Sequence, residues 1–178
     1  IHTMEGYYNV AIEIFQNPER KASIHYNLNS EDGEITQQVM EEDTAWHAGN
    51  WDYNQVSIGL EHEGFMDDPK WFTEIMMDKS AELVAHLCEK YNIPVNRKKI
   101  IGHVEVPNQS HSDPGLQWPW DEYIEQINSY MEQALPPPDD NEGTDTQNTE
   151  QPTTSLGKGN LFGKVVDKAA NTIVTAGK

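Results

Sequence analysis

The stretch from Gly102 to Gly115 brings together side chains that could bind a metal ion. It contains two imidazoles and a carboxylate, those of His103, His111 and Asp113, in a segment broken by two prolines. Imidazole nitrogens and carboxylate oxygens are zinc ligands, and a turn-rich loop can fold Asp113 back beside a histidine at the end of a strand. The stretch therefore predicts two ligands, His103 and Asp113, and requires a third from another part of the chain.

A site made of two histidines and one aspartate leaves its fourth position open for water. A catalytic zinc needs that open position, whereas four protein ligands close a structural site. The alternative interpretation is that His103 and His111 are surface histidines beside an ordinary Asp-Pro-Gly turn. Short motifs often match by chance, so this stretch alone does not choose between the two.

A carboxylate that could act beside such a metal is found in the strand predicted over residues 55–64. Ile58, Leu60 and His62 share one face of that strand, and Glu61 lies on the other. If the aliphatic face packs on helices, Glu61 stands on the polar face, where it could approach a metal-bound water. The alternative is a solvated glutamate on an edge strand.

The elements that must position these residues begin with a strand that ends at Ile1-His2-Thr3, which puts His2 at a strand end. The sequence lacks an initiator methionine, so we expect residues upstream of Ile1. Helical spacing of apolar residues from Tyr7 to the Asn17-Pro18 stop predicts an amphipathic helix. Alternation in residues 23–29 and 34–40 around a Gly turn predicts a hairpin, and residues 44–51 are expected to form a surface loop that contacts a ligand.

The second half of the sequence predicts two helices and one further strand. A buried apolar stripe runs through a helix from Asp68 to about Tyr91, and Cys88 is expected to be a packed core thiol within it. His86 lies beside the stripe and is interpreted as a helix residue rather than a ligand. A strand is predicted over residues 98–103, and a final helix follows the aromatic residues at 118–120.

Composition excludes some classes of partner. The 178 residues carry 30 acidic and 12 basic side chains, for a formal net charge of −18, which repels phosphate backbones and anionic membrane surfaces. No apolar run approaches the ~20 residues that cross a bilayer. We therefore expect no nucleic-acid partner and no integral membrane segment.

The chain is expected to contain one domain that ends near Leu135. Residues 136–159 are rich in Pro, Asp, Glu, Thr, Gln and Asn, the composition of a disordered acidic linker. Residues 160–178 have helical spacing of apolar residues with lysines between them, so a weak amphipathic helix is predicted there, without assignment as a domain.

Four pieces of the sequence occur in the order seen in a known enzyme family: His2-Thr3, the Ala-Trp-His-Ala-Gly run at 45–49, the Ser-Ile-Gly-Leu-Glu run at 57–61, and the 102–115 stretch. The chain resembles the zinc-dependent N-acetylmuramoyl-L-alanine amidases that share their fold with peptidoglycan recognition proteins. The resemblance covers residues 1 to about 130. It implies an α/β fold, with a mixed central β-sheet flanked by helices and a zinc ion at the mouth of a cleft for a glycan strand and its stem peptide.

The resemblance also implies roles for individual residues. The zinc ligands would be His2, His103 and Asp113, and Glu61 would activate the water. His111 would contact the developing oxyanion, at a position where some relatives have lysine. The cleft-lining, substrate-binding residues would be Trp46, His47, Asn50 and Trp51. His62 is a departure, because this inward-facing position is often aliphatic.

The implied function is hydrolysis of the amide bond between N-acetylmuramic acid and L-alanine by a monomeric, secreted or cell-wall-associated enzyme whose partner is peptidoglycan. Two other classes of protein stay open. One is a wall-recognition protein that has lost catalysis, which the presence of all three ligands and Glu61 disfavours. The other is a metal-independent scaffold whose acidic tail recruits a partner. Zinc content and release of stem peptide from wall material would separate them from the enzyme.

Overall fold

Four short strands form the mixed sheet that the sequence predicts. The computed structural model describes residues 1–134, and its strands are β1 (His2–Thr3), β2 (Tyr26–Leu28), β3 (Ile35–Gln37) and β4 (Leu60–His62). Their order is β1-β4-β2-β3, with β4 parallel to both β1 and β2, and β3 antiparallel to β2. The predicted linker at 136–159 and the predicted helix at 160–178 lie outside the described residues.

In the part of the chain that the structure describes, four α-helices accompany the sheet: α1 (Tyr8–Gln16), α2 (Trp51–Asn54), α3 (Glu74–Tyr91) and α4 (Trp120–Ala134). Short 3-10 turns occupy Pro18–Arg20, Pro69–Trp71 and His103–Glu105. Within residues 1–134, none of these helices has the length and apolar character of a membrane span.

The core lies between one sheet face and the helix pair α3–α4. Its sheet side consists of Tyr26, Leu28 and Leu60, and its helix side includes Met76 and Tyr123. The predicted core position of the Cys88 thiol is confirmed, because that residue is buried in the same cluster. Burying these apolar side chains fixes which face of β4 turns inward, and so which face carries Glu61.

A chain of buried polar groups joins β1 to both core helices. His62 Nδ1 is 2.9 Å from the carbonyl oxygen of His2, His62 Nε2 is 2.6 Å from Ser80 Oγ, and Ser80 Oγ is 2.6 Å from the Tyr123 hydroxyl. A carbonyl only accepts, so His62 Nδ1 donates, its Nε2 accepts from Ser80, and Ser80 accepts from Tyr123. Burial lowers the pKa of His62 to about 3, which keeps the ring neutral. His62 thus links the backbone of β1 to α3 directly, and to α4 through Ser80.

Three predicted elements differ from those in the structure. The strand expected over 55–64 is limited to Leu60–His62, because α2 and its following turn take up the preceding residues. The helix expected from Asp68 begins only at Glu74, because Pro69–Trp71 form a separate 3-10 turn before it.

The strand predicted over residues 98–103 is wrong. Asn96 accepts hydrogen bonds from the backbone N–H groups of Lys98, Lys99 and Ile100, so a local turn uses the donors that a strand would need. His103 consequently begins a 3-10 turn instead of ending a strand. Ile1 still holds this segment beside β1, since its carbonyl accepts from His103 N at 3.0 Å.

Candidate metal centre

Three side chains from distant parts of the chain converge at one end of the sheet. His2 comes from β1, His103 from the 3-10 turn and Asp113 from the loop that follows it. His2 Nδ1 lies 3.1 Å from both His103 Nδ1 and Asp113 Oδ2, and His103 Nδ1 lies 3.2 Å from Asp113 Oδ1. All three residues are buried.

These separations fit a tetrahedral cation. Zinc bonds of about 2.0–2.1 Å at tetrahedral angles place neighbouring ligand atoms roughly 3.3 Å apart. Burial lowers the pKa of His2 to about 4, although the Asp113 carboxylate beside the ring acts to raise it. Burial acts to raise the pKa of Asp113, but the adjacent His103 and His2 rings outweigh it and hold that pKa below its usual range. A neutral imidazole beside an ionised carboxylate is the protonation pattern that metal ligands require.

The backbone around His103 is held by a second set of contacts. Val104 N donates to Asp113 O at 2.9 Å, which ties the two ligand segments together. Glu105 accepts from Gly102 N at 2.7 Å and pairs with Arg97, whose guanidinium lies 3.2 Å from the centre of the Trp120 ring. The first turn of α4 therefore supports the segment that carries the ligand.

Hydrogen bonds behind His2 fix which of its nitrogens is free for a metal. Ser57 Oγ donates to the Tyr53 carbonyl at 2.6 Å, so it can only accept from His47 Nε2, 3.3 Å away. His47 Nδ1 must then accept from His2 Nε2, at 3.0 Å. With Nε2 protonated, neutral His2 presents its Nδ1 lone pair toward Asp113, as a metal ligand should.

His47 itself is positioned by two residues that the sequence analysis did not single out. Asn54 Oδ1 accepts from the backbone N–H groups of His47 and Ala48, at 3.1 and 2.8 Å. The ring packs on Gly59, where an added Cβ would lie 2.6 Å from His47 Cγ. Asn50 and Asn54 lie one helical turn apart, and this spacing was the signal in the sequence that could have indicated the contact of Asn54 with the backbone of His47.

Glu61 stands beside His2 in the sheet register, with its neighbours Leu60 and His62 buried toward the helices. The predicted assignment of faces is therefore confirmed. Glu61 Oε2 is buried and has no hydrogen-bond partner among residues 1–134. Burial, and then the charge of Asp113, raise the pKa of Glu61 to about 8. A bound cation would act in the lowering direction.

His111 lies on the solvent side of the centre. Its ring stacks on that of His103, with centroids 4.4 Å apart, and its Nδ1 is 3.7 Å from Asp113 Oδ1. The structure thus brings His111 to the predicted ligands, while its role toward an oxyanion stays a prediction.

The four predicted substrate-binding residues fall into two groups. Trp46 and Trp51 are 52% and 54% exposed, and their rings form an edge-to-face pair with centroids 5.6 Å apart. His47 and Asn50 instead make internal contacts: Asn50 caps the start of α2 with Oδ1 and donates to the Pro107 carbonyl at 2.9 Å. The exposed tryptophan pair is thus the part of this group that a substrate can reach most directly.

A cavity of about 570 Å³ lies on the other side of the imidazoles, between the ligands and the end of α3. His2, His47 and His103 line it, but Glu61 and Asp113 do not. The cavity therefore borders two of the candidate ligands, His2 and His103, but not Glu61.

A mixed sheet with two helices on its apolar face carries a His-His-Asp cluster. Beside it lies a glutamate whose Oε2 has no partner among residues 1–134. This combination is typical of a metal-dependent hydrolase. Residues 1–116 match the family described as N-acetylmuramoyl-L-alanine amidase. The chain belongs to that family, and its activity is hydrolysis of the amide bond between N-acetylmuramic acid and L-alanine in peptidoglycan.

Known relatives agree with this assignment. The chain is 34% identical over 145 residues to N-acetylmuramoyl-L-alanine amidase A of Achromobacter lyticus, covering 72% of this chain and 81% of that protein. It is 31% identical over 121 residues to the 1,6-anhydro-N-acetylmuramyl-L-alanine amidase AmpD of Haemophilus influenzae, covering 65% and 62%. The E. coli amidase AmiD, solved with anhydro-N-acetylmuramic acid-L-Ala-D-gamma-Glu-L-Lys, has the same fold, with a TM-score of 0.60 at 22% identity over 70% of this chain and 55% of that one.

Proposed function

We propose that the chain performs this hydrolysis with a zinc ion held by His2, His103 and Asp113. The observation that carries the proposal is the convergence of three residues, with His2 Nδ1 3.1 Å from His103 Nδ1 and from Asp113 Oδ2, and His103 Nδ1 3.2 Å from Asp113 Oδ1. The free lone pair of His2 faces Asp113. When bound, zinc would polarise the scissile carbonyl and lower the pKa of water.

The protein's own groups would then handle the proton. Glu61 takes a proton from the attacking water and returns it to the leaving nitrogen of L-alanine. Its Oε2 suits this role because no other described group occupies it. His111, exposed and stacked on His103, donates a hydrogen bond to the oxygen that gains negative charge.

We propose that the Trp46–Trp51 pair contacts the substrate beside the metal. Their exposed rings offer apolar surface together with indole N–H donors, a combination suited to a sugar or peptide with both polar and apolar faces. His47 and Asn50 would contribute mainly by holding His2 and the 103–115 loop in place. We further propose a monomer that acts at the cell wall, where its polymeric substrate is located.

The zinc proposal is tested by measuring bound metal. Asp113→Ala removes the anionic ligand, so we expect zinc content well below one per chain after dialysis, and loss of turnover. His86→Ala is the matched control, because it removes an imidazole from the exposed side of α3 and should leave zinc content unchanged. Equal zinc in the Asp113 variant and the parent would contradict the ligand assignment.

A further inference from the structure

A row of four polar side chains crosses the sheet on the face that carries the metal centre. The strand register aligns His2 with Glu61, Glu61 with Asn27, and Asn27 with Thr36. Residues aligned in this way project from the same face of a sheet. At the far end Thr36 Oγ1 lies 2.5 Å from the Tyr8 hydroxyl of α1. The row therefore runs from a proposed metal ligand to a helix that covers the sheet.

Asn27 is the member of this row whose polar side chain has no evident structural role. It is 0% exposed, and neither its Nδ2 nor its Oδ1 has a hydrogen-bond partner among the described residues. Burying an amide without partners costs free energy that a leucine of similar size would avoid. An asparagine at this position therefore calls for a partner that it meets during function.

Glu61 is the group that fits. Neighbouring strands lie about 4.8 Å apart, so aligned side chains on one face are within reach of each other. Glu61 Oε2 is also buried and partnerless. Because the two residues are aligned on adjacent strands, a rotation of their side chains would let these two groups hydrogen-bond to each other.

We propose that Asn27 is a positioning residue whose amide is the hydrogen-bond partner of the Glu61 carboxyl group; this rests on the proposed role of Glu61 as general base. An amide suits a base that gains and then loses a proton. Its N–H donates to the carboxylate before the water proton arrives, and its carbonyl accepts from the carboxylic acid until that proton passes to the leaving nitrogen. Leucine can do neither, and a second carboxylate would repel the first.

The first test is a double-mutant cycle on the zinc-loaded full chain. A hydrogen bond to a charged group contributes enough free energy that its loss in Asn27→Leu should lower kcat about tenfold or more. KM should change little, and zinc content should be unchanged. In the Glu61→Gln background the same change should have no further effect, because the base is already absent. Single-turnover release of stem peptide, with enzyme in excess, measures the slow variants.

Thr36→Val is the matched control for this cycle. It removes a polar group from the same row, one strand further from Glu61, and leaves the Tyr8 hydroxyl without its partner. We expect a lower thermal unfolding temperature with unchanged kcat. An equal loss of kcat from Asn27→Leu in both backgrounds, or no loss in the parent, would overturn the proposal.

A spectroscopic test does not depend on activity or on the folding of an Asn27 variant. In metal-free protein labelled with nitrogen-15, the Asn27 side-chain NH₂ resonances should shift when Glu61→Gln replaces the carboxyl group by an amide. Unshifted resonances would show that the two groups do not touch. If Glu61→Gln kept full turnover, the proposed mechanism would fail, while this measurement would still decide whether Asn27 and Glu61 are partners.

Discussion

Glu61 is the residue on which the proposed chemistry depends most directly. It stands beside the proposed ligand His2 in the strand register, and one of its oxygens has no protein partner within residues 1–134. Glu61→Gln keeps the shape of the side chain but cannot accept a proton from water. We expect normal zinc content and a fall in kcat of ~10²-fold or more, the usual scale of general-base assistance.

The measurement for Glu61→Gln is steady-state release of stem peptide, with zinc content and thermal unfolding recorded on the same samples. A structural carboxylate would give a different pattern, in which any loss of activity follows a loss of stability. A folded, zinc-loaded variant with parental kcat would exclude Glu61 as the base, even though the amidase assignment would stand.

Sequence reasoning reached the residues of the centre unevenly. The 102–115 motif selected His103 and Asp113, and the alternation of side chains along a strand selected Glu61. His2 was assigned as a ligand from the family resemblance alone. The role of His47 as partner of His2 Nε2 could not be predicted, because it depends on a hydrogen-bond chain through Ser57 that only a folded chain displays. Asn27 gave no signal in the sequence, because its role depends on pairing with a strand 34 positions later, as the register of Asn27 with Glu61 shows.

At the scale of elements, Glu41 joins three parts of the fold. It accepts hydrogen bonds from Lys90 Nζ at 2.7 Å and the Tyr91 hydroxyl at 2.6 Å, both at the end of α3, and from the Tyr26 hydroxyl of β2. Burial acts to raise the pKa of Glu41, but these hydrogen bonds outweigh it and lower the pKa to about 2. The Glu41 carboxylate thus attaches the loop that precedes Trp46 to α3 and β2.

This attachment predicts a dependence of stability on pH. Because the folded-state pKa lies below the ordinary value of 4.5, the contribution of Glu41 is complete above about pH 4.5 and is lost as the pH falls toward 2. Glu41→Gln should therefore lower the urea midpoint at pH 7, and its difference from the parent should shrink between pH 4.5 and 2. Glu42→Gln, at the exposed neighbouring position, removes the same charge and serves as control. A difference that is independent of pH would contradict the assigned cause.

The predicted elements were correct where apolar periodicity is strong and incorrect where side chains bond to their own backbone. The stripe of α3 and the turn of the β2–β3 hairpin were found, because burial and Gly33, with φ of +73°, leave few alternatives. The strand predicted at 98–103 failed because the turn at Asn96 uses local donors, which a pattern of apolar residues does not reveal. These local bonds also decide how His103 is presented.

At the scale of the whole molecule, residues 1–134 contain both the core and every residue proposed to act in catalysis. Removing residues 139–178 should therefore leave zinc content and hydrolysis of soluble muropeptide unchanged. Activity on soluble substrate and on intact wall material, measured side by side, checks this. Loss on soluble substrate by a folded, truncated chain would move the domain boundary, whereas loss on intact walls alone would give the removed segment a targeting role.

The convergence of His2 and Asp113 has a consequence for the unfolded chain. The two ligands are 111 positions apart, so an ion held by both is a cross-link that closes most of the described polypeptide into one loop. Covalent closure of a loop of ~100 residues is worth about 4.7 kcal/mol in the chain-entropy model, and a reversible ion approaches that benefit only while its concentration exceeds its dissociation constant. A chelator should then lower the free energy of unfolding as well as remove activity.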